Sequence, residues 1–236
     1  MNNKIVLKVE NVCYRYKDAA KDDYVLKNIN YSFEKGKVYA IRGKSGSGKT
    51  TLLSLISGLE NKYDGKIFYK DKNLKKMDLD VYRNTDIGII FQSYNLLPHL
   101  TAIENIMLSM DISKVKVKDK KSKSIELMKS VGLSPSLKDR RVLKLSGGEQ
   151  QRVAIARSLS YDPEIILADE PTGNLDHETE NEILKIFIDL AHKQNKCVII
   201  VTHSQNVCDL ADEIYELKKN DWKEKKWKIR KMKKQL

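Results

Sequence analysis

Three short runs of this sequence carry residues that could do chemistry together. The first is Gly43-Lys44-Ser45-Gly46-Ser47-Gly48-Lys49-Thr50, set between the apolar run Val38-Tyr39-Ala40-Ile41 and a helical pattern through Leu52, Leu53, Leu55 and Ile56. Glycines in that context let the backbone turn tightly and aim its N–H groups at phosphate oxygens. A helix starting near Gly48 adds the positive end of its dipole. Lys49 is placed to neutralise β- and γ-phosphate charge, and the Thr50 hydroxyl to ligate Mg²⁺. The second run is Leu145-Ser146-Gly147-Gly148-Glu149-Gln150-Gln151-Arg152. Its Ser146-x-x-Glu149 is a capping box, and a capped helix N-terminus with two glycines is also an anion site. The third, Ile165-Ile166-Leu167-Ala168-Asp169-Glu170, ends a buried apolar strand in two acids. Carboxylates there are costly unless a cation or hydrogen bonds compensate. Asp169 would hold Mg²⁺ through its water shell, and Glu170 would polarise attacking water or accept its proton. Taken without the phosphate loop, the pair reads equally as two solvated acids at a strand end.

Two single residues join this set by position. His203 follows the strand-like Cys197–Val201 and precedes a helix N-cap at Ser204. It could hydrogen-bond a γ-phosphate oxygen and position the water. Gln92 ends the run Ile87–Phe91, and its amide oxygen could reach Mg²⁺ or that water.

The elements that must position these residues alternate in type. Ile5 to Tyr16 and Val25 to Phe33 read as strands, as do Ile67–Tyr69, Ile87–Phe91, Ile165–Ala168, Cys197–Val201 and Ile214–Leu217. From Thr101 to about Ser160 the pattern is helical, broken by Gly132 and Pro135, and Ile183, Phe187, Leu190 and Ala191 share a helix face. Lys114 to Lys123 is lysine-rich and reads as a solvated loop and helix start. The order predicts an α/β protein: a mostly parallel core, an antiparallel N-terminal sheet and a helical insertion.

Composition narrows the class. The 236 residues suit one or two domains, and no apolar run approaches the roughly 18 residues that span a bilayer. No signal peptide is visible, which points to the cytosol. Cys13, Cys197 and Cys208 have no metal-ligand or disulfide spacing. Of the net charge of +12, eight units lie between Lys218 and Leu236, where ten Lys or Arg face Asp221 and Glu224. The basic character therefore belongs to a tail, and no nucleic-acid-binding face is expected.

Taken in order, Tyr16, the phosphate loop, Gln92, Leu145–Arg152, Ile165–Glu170 and His203 resemble the ATP-binding cassette (ABC) ATPases over about residues 4 to 217. The resemblance implies a P-loop NTPase (RecA-like) core with an antiparallel β subdomain and an α-helical subdomain at about 93–160, within an ATPase domain of residues 1–217. It implies that Tyr16 stacks on adenine, that Gly43, Lys44, Ser45, Gly46, Ser47, Gly48, Lys49, Thr50 and Thr51 wrap the phosphates, and that Thr50 and Gln92 contact Mg²⁺. Glu170 is then the catalytic carboxylate and His203 the γ-phosphate sensor. Ser146, Gly147, Gly148 and Glu149 would form the signature that meets the γ-phosphate of a second subunit, in a head-to-tail homodimer enclosing two ATPs. Asn174-Leu175-Asp176 resembles the D-loop, with Asp176 joining the two sites. Tyr14 and Tyr16 share a strand face by period two, so packing is the competing reading of Tyr16.

Asp169–Asp176, the Phe91–Pro98 run and Thr101-x-x-Glu104-Asn105 are similar to a narrower branch: macrolide exporters, lipoprotein-releasing ATPases, FtsE-like proteins and antimicrobial-peptide transporters. Members serve a separate integral membrane permease at the cytoplasmic face of the membrane. An FtsE-like regulator of a cell-envelope enzyme and the ATPase of an amino-acid importer are the alternatives. Soluble relatives in DNA repair or translation usually carry coiled-coil insertions, zinc modules or two cassettes, and none is present. The residues facing the permease are expected between Gln92 and Ser146. Arg42 and Lys44 depart from the family pattern, which commonly has an apolar residue and Pro there. Lys219-Asn220-Asp221 replaces a usual glycine turn. In the tail, Trp222, Trp227, Ile229 and Met232 lie among the cations without a clean helical face. It reads as a frayed soluble tail, as a contact with anionic membrane, or as a contact with the permease or an acidic partner.

Overall fold

The computed structural model describes residues 4–18 and 23–218; the tail beyond Lys218, including Lys219-Asn220-Asp221 where a turn is expected, lies outside the described residues. Two sheets organise the chain. Strands β1 (Ile5–Tyr14), β2 (Leu26–Glu34), β4 (Asp64–Tyr69) and β5 (Lys72–Asn73) form an antiparallel sheet in the order β2-β1-β4-β5. Strands β3 (Lys37–Arg42), β6 (Ile87–Ile90), β7 (Ile165–Asp169), β8 (Cys197–Thr202) and β9 (Glu213–Glu216) form a parallel sheet in the order β6-β7-β8-β3-β9.

The inner strands of the parallel sheet are apolar runs because both of its faces are covered, whereas the edge strand β9 begins and ends in glutamate. Alternate residues point to opposite sides. Tyr39, Ile41, Ile165, Leu167, Ile199 and Val201 pack towards the antiparallel sheet and helix α1 (Lys49–Ile56). Val38, Ala40, Ile166, Ala168, Val198 and Ile200 pack towards α5 (Gly147–Ser158) and α6 (His177–His192). On α6 the buried stripe is Ile183, Leu184, Phe187, Leu190 and Ala191, the expected face. Helices α3 (Ala102–Ile112) and α4 (Lys120–Ser130) pack on one another and on α5, and α7 (Gln205–Leu210) follows β8.

The structure corrects three local expectations. Strand β1 stops at Tyr14, so Tyr16 is not on the strand. Tyr14 is buried, whereas Tyr16 is 56% exposed, its ring edge-on to Tyr14 at 5.3 Å. The stretch from Thr101 to Ser160 is three helices, with a loop between α3 and α4 and two 3₁₀ turns, Pro135–Leu137 and Val142–Lys144, between α4 and α5. Helix α2 (Leu79–Thr85) was not foreseen: Asp78 caps it by accepting the Asp80 and Val81 N–H groups, and Tyr82 anchors it in the core.

Candidate functional site

The ends of three adjacent parallel strands bring the chemistry-bearing residues into one cleft of about 770 Å³, lined by Tyr16, Lys49, Thr50, Gln92, Asp169, Glu170 and His203 among others. Strand β3 delivers the glycine loop, β7 delivers Asp169 and Glu170, and β8 delivers His203. Ligands commonly bind beyond the carboxyl ends of strands in such sheets.

Sterics fix the loop. A Cβ on Gly43 would lie 2.4 Å from Ser47 Oγ and 2.5 Å from the Leu217 carbonyl oxygen. Gly48 has φ +93, in the left-handed region that a side chain disfavours. The Lys49 ammonium donates to the Gly43 and Lys44 carbonyls at 2.8 and 3.3 Å, so it stands over the loop expected to wrap the phosphates. Thr50 Oγ1 donates to Asp169 Oδ2 at 3.0 Å. Burial, reinforced by the neighbouring Glu170 charge, holds the Asp169 carboxyl above its usual range, against the opposing Thr50 hydrogen bond and Lys49 charge. A partly desolvated carboxylate beside a hydroxyl, with the Gln92 amide in the same cleft, is a hard-oxygen donor set suited to Mg²⁺. Tyr16 lines the cleft, its hydroxyl 3.2 Å from Thr51 Oγ1.

Glu170 is held in a left-handed backbone conformation, φ +47, without being glycine. Such a conformation costs on the order of 1–3 kcal/mol and persists only where surroundings over-determine it. Here its N–H donates to the Val201 carbonyl at 2.9 Å. Its Oε2 accepts from Thr202 Oγ1 and from the His203 N–H, both at 3.2 Å. His203 Nδ1 lies 2.9 Å from its Oε1. The acid and the histidine thus meet although 33 residues separate them.

Gln92 is followed by a strained segment, Tyr94 (φ +61) and Asn95 (φ +49). Arg157 of α5 donates to both of their carbonyls, at 2.8 and 2.5 Å. From α3, the buried Asn105 accepts the Leu97 N–H at 2.8 Å and donates to the Leu97 and Thr101 carbonyls. Sequence reading missed Arg157, whose role exists only through the carbonyls it reaches, and gave Asn105 no role beyond its place in the Thr101-x-x-Glu104-Asn105 run.

The residues lining the cleft do not include Ser146, Gly147, Gly148 or Glu149. They open α5 with the expected capping box: Ser146 Oγ accepts from the Glu149 N–H at 3.2 Å, and Glu149 Oε2 from the Ser146 N–H at 2.7 Å. Gly147 lies near Leu175 and Gly148 near Thr179, at the start of α6. Asp176 caps α6 through the Thr179 N–H (3.0 Å) and hydroxyl (2.7 Å), bonds that hold its carboxyl below the usual range. On the other side of the glycine loop, Arg42 and Lys44 line a separate cavity of about 630 Å³ with His203, Glu216 and Lys218. Arg42 donates to Gln205 Oε1 at 2.9 Å.

Residues 26–173 match the family described as ABC transporter. The chain is 45% identical to the uncharacterized ABC transporter ATP-binding protein YclH of Bacillus subtilis, over 88% of this chain and 91% of that protein. It is 39% identical to the lipoprotein-releasing system ATP-binding protein LolD of Legionella pneumophila, over 91% of this chain and 96% of LolD. Its structure is similar to that of the ATP-binding cassette MJ0796, a dimer in a post-hydrolysis state bound to ADP and Pi, with a TM-score of 0.82 at 36% identity, covering 89% of this chain and 94% of the other. No helix among the described residues is long and apolar enough to cross a membrane.

Proposed function

The chain belongs to the ABC transporter family, and we propose that it is the ATP-hydrolysing subunit that powers a separate membrane permease of the export or extracytoplasmic type. Its similarity to LolD supports that branch, and the dimeric cassette structure supports action as a pair of subunits.

The observation that carries the catalytic reading is the fixed Glu170–His203 pair, facing Lys49 and Thr50 across one cleft. In this reading the glycine loop and Lys49 hold the triphosphate, with Tyr16 at the base. Thr50 and Gln92, with Asp169 through water, would hold Mg²⁺, which supplies charge neutralisation on the phosphates. Glu170 orients a water and takes its proton as the water oxygen bonds to the γ-phosphorus. The bond to the bridging oxygen breaks, leaving ADP and phosphate. His203 steadies the γ-phosphoryl oxygens. Ser146 to Glu149 complete the site of the opposite subunit: they lie outside their own cleft, at a capped helix N-terminus suited to an anion. The tail's excess of cations supports contact with an anionic membrane surface beside the permease.

Glu170→Gln tests the assignment. It keeps the side chain's shape but not its basicity. ATP binding is expected to persist, turnover to fall by roughly 100-fold or more, and dimers to accumulate in size-exclusion chromatography with ATP. Undiminished turnover would refute the role.

A further inference from the structure

Glu180 stands one turn into α6, beyond the Asp176 cap, and does not line the nucleotide cleft. Its single oxygen Oε1 accepts two hydroxyls. Thr172 Oγ1, from the loop that follows Glu170, donates at 3.0 Å. Ser204 Oγ, from the turn that follows His203, also donates at 3.0 Å. One acceptor therefore joins the loops that carry the acid and the histidine. The line continues to the reacting end: the Ser204 N–H donates to Thr202 Oγ1 at 2.9 Å, and the Thr202 hydroxyl donates to Glu170 Oε2 at 3.2 Å.

Carboxylate acceptors make the stronger class of hydrogen bond. Thr172 is buried, so loss of its acceptor leaves a hydroxyl that water does not readily satisfy. Such an arrangement resists changes in the spacing of the two loops. It also ties that spacing to the helix whose Thr179 packs beside Gly148.

We infer that Glu180 is a positioning residue for hydrolysis, acting through Thr172 and Ser204 to hold Glu170 and His203 at working separation. This rests on the reading of Glu170 and His203 as the hydrolytic pair. A displacement of the α6 N-terminus reaches both through Glu180.

Steady-state ATPase kinetics of the full chain test it. Glu180→Ala is expected to lower kcat by about tenfold with KM for ATP changed less than about twofold, the signature of misplaced catalytic groups with binding intact. Glu180→Gln, which keeps an acceptor oxygen in the same place, is expected to retain about half of kcat. Adding Ser204→Ala to Glu180→Ala is expected to cause little further loss, because both cut one connection. A Glu180→Ala kcat within twofold of the parent, a Gln variant no better than Ala, or losses that multiply would each overturn the inference. If Glu180→Ala fails to fold, Ser204→Ala alone decides: a kcat fall of about threefold at constant KM supports the connection, and parental kcat or a matching rise in KM overturns it. Glu170→Gln run alongside separates the two readings. An inactive Glu170→Gln beside a fully active Glu180→Ala sinks only the role of Glu180, whereas a parental rate in Glu170→Gln overturns both.

Discussion

Gly147 and Gly148 sit side by side at the start of α5, and alanine at each should act differently. At Gly147 the new methyl would find the Tyr94 hydroxyl at 3.2 Å and Leu175 Cδ2 at 3.7 Å. The first is the far end of a side chain and needs to give by only a few tenths of an ångström. Glycine to alanine inside a helix is favourable by about 0.5–1 kcal/mol and less in the first turn, so the folded subunit should change by no more than about 0.5 kcal/mol. At Gly148 the methyl would lie 2.6 Å from Thr179 Cγ2. Thr179 cannot turn away freely, because Asp176 holds its hydroxyl and its N–H. Overpacking of this kind costs about 1–3 kcal/mol, leaving a net loss of roughly 1–2 kcal/mol. Urea unfolding of the nucleotide-free subunit reads the difference as a midpoint lower by about 0.5–1 M for Gly148→Ala alone. Turnover should not follow stability. Gly147→Ala is expected to lose roughly 100-fold in turnover, the scale of losing donors at a developing oxyanion, while ATP affinity of the isolated subunit stays within about twofold. Equal destabilisation by both alanines would refute the packing argument. Loss of monomeric ATP binding in Gly147→Ala would refute the assignment of this segment to another subunit's site.

Three further outcomes are expected. Because burial raises the Asp169 carboxyl, its contribution to stability in the metal-free protein is present below the ordinary carboxylate range and lost as pH rises through the elevated value. Asp169→Asn should therefore raise Tm at neutral pH by about 1–2 °C and flatten its acid-to-neutral dependence in differential scanning calorimetry, while Mg²⁺-dependent turnover collapses; a lowered Tm would contradict this. Arg157→Met frees the strained Tyr94–Asn95 carbonyls, and a Mg²⁺ titration of ATPase activity should shift to about tenfold higher metal, with partial recovery in Arg157→Lys and no shift if Arg157 only fills space. Truncation after Leu217 should abolish sedimentation with liposomes containing anionic lipid, and unchanged sedimentation would remove the membrane contact.

Much of this was legible in the sequence because it is local. Buried parallel strands announce themselves as short apolar runs such as Cys197–Val201. The phosphate loop and the Ser146–Glu149 capping box are continuous segments whose spacing is itself their geometry. Residues that act across the fold left no such mark. Glu180 reads as one more acid in the first turn of an amphipathic helix until the structure sets Thr172 and Ser204 on the same oxygen. Arg157 reads as a helix-terminal cation until two carbonyls 62 and 63 residues upstream meet it. Tyr16 was assigned to a strand by alternation, but the strand ends two residues earlier and leaves the ring at the cleft instead of in the core. Helix α2 was missed because seven residues are too few for a clear apolar period.

The central claim is that each active site takes its phosphate loop from one subunit and its Ser146–Glu149 segment from the other. Mixing two inactive variants tests it most directly: Lys49→Ala, crippled in the loop, and Ser146→Arg, crippled in the signature. In a mixed dimer both lesions fall in one site and the second site is intact, so an equimolar mixture should recover about a quarter of the parental ATPase activity if subunits exchange at random and the sites turn over independently. Recovery near that level is the predicted result, and a mixture as inactive as either variant alone would contradict the claim.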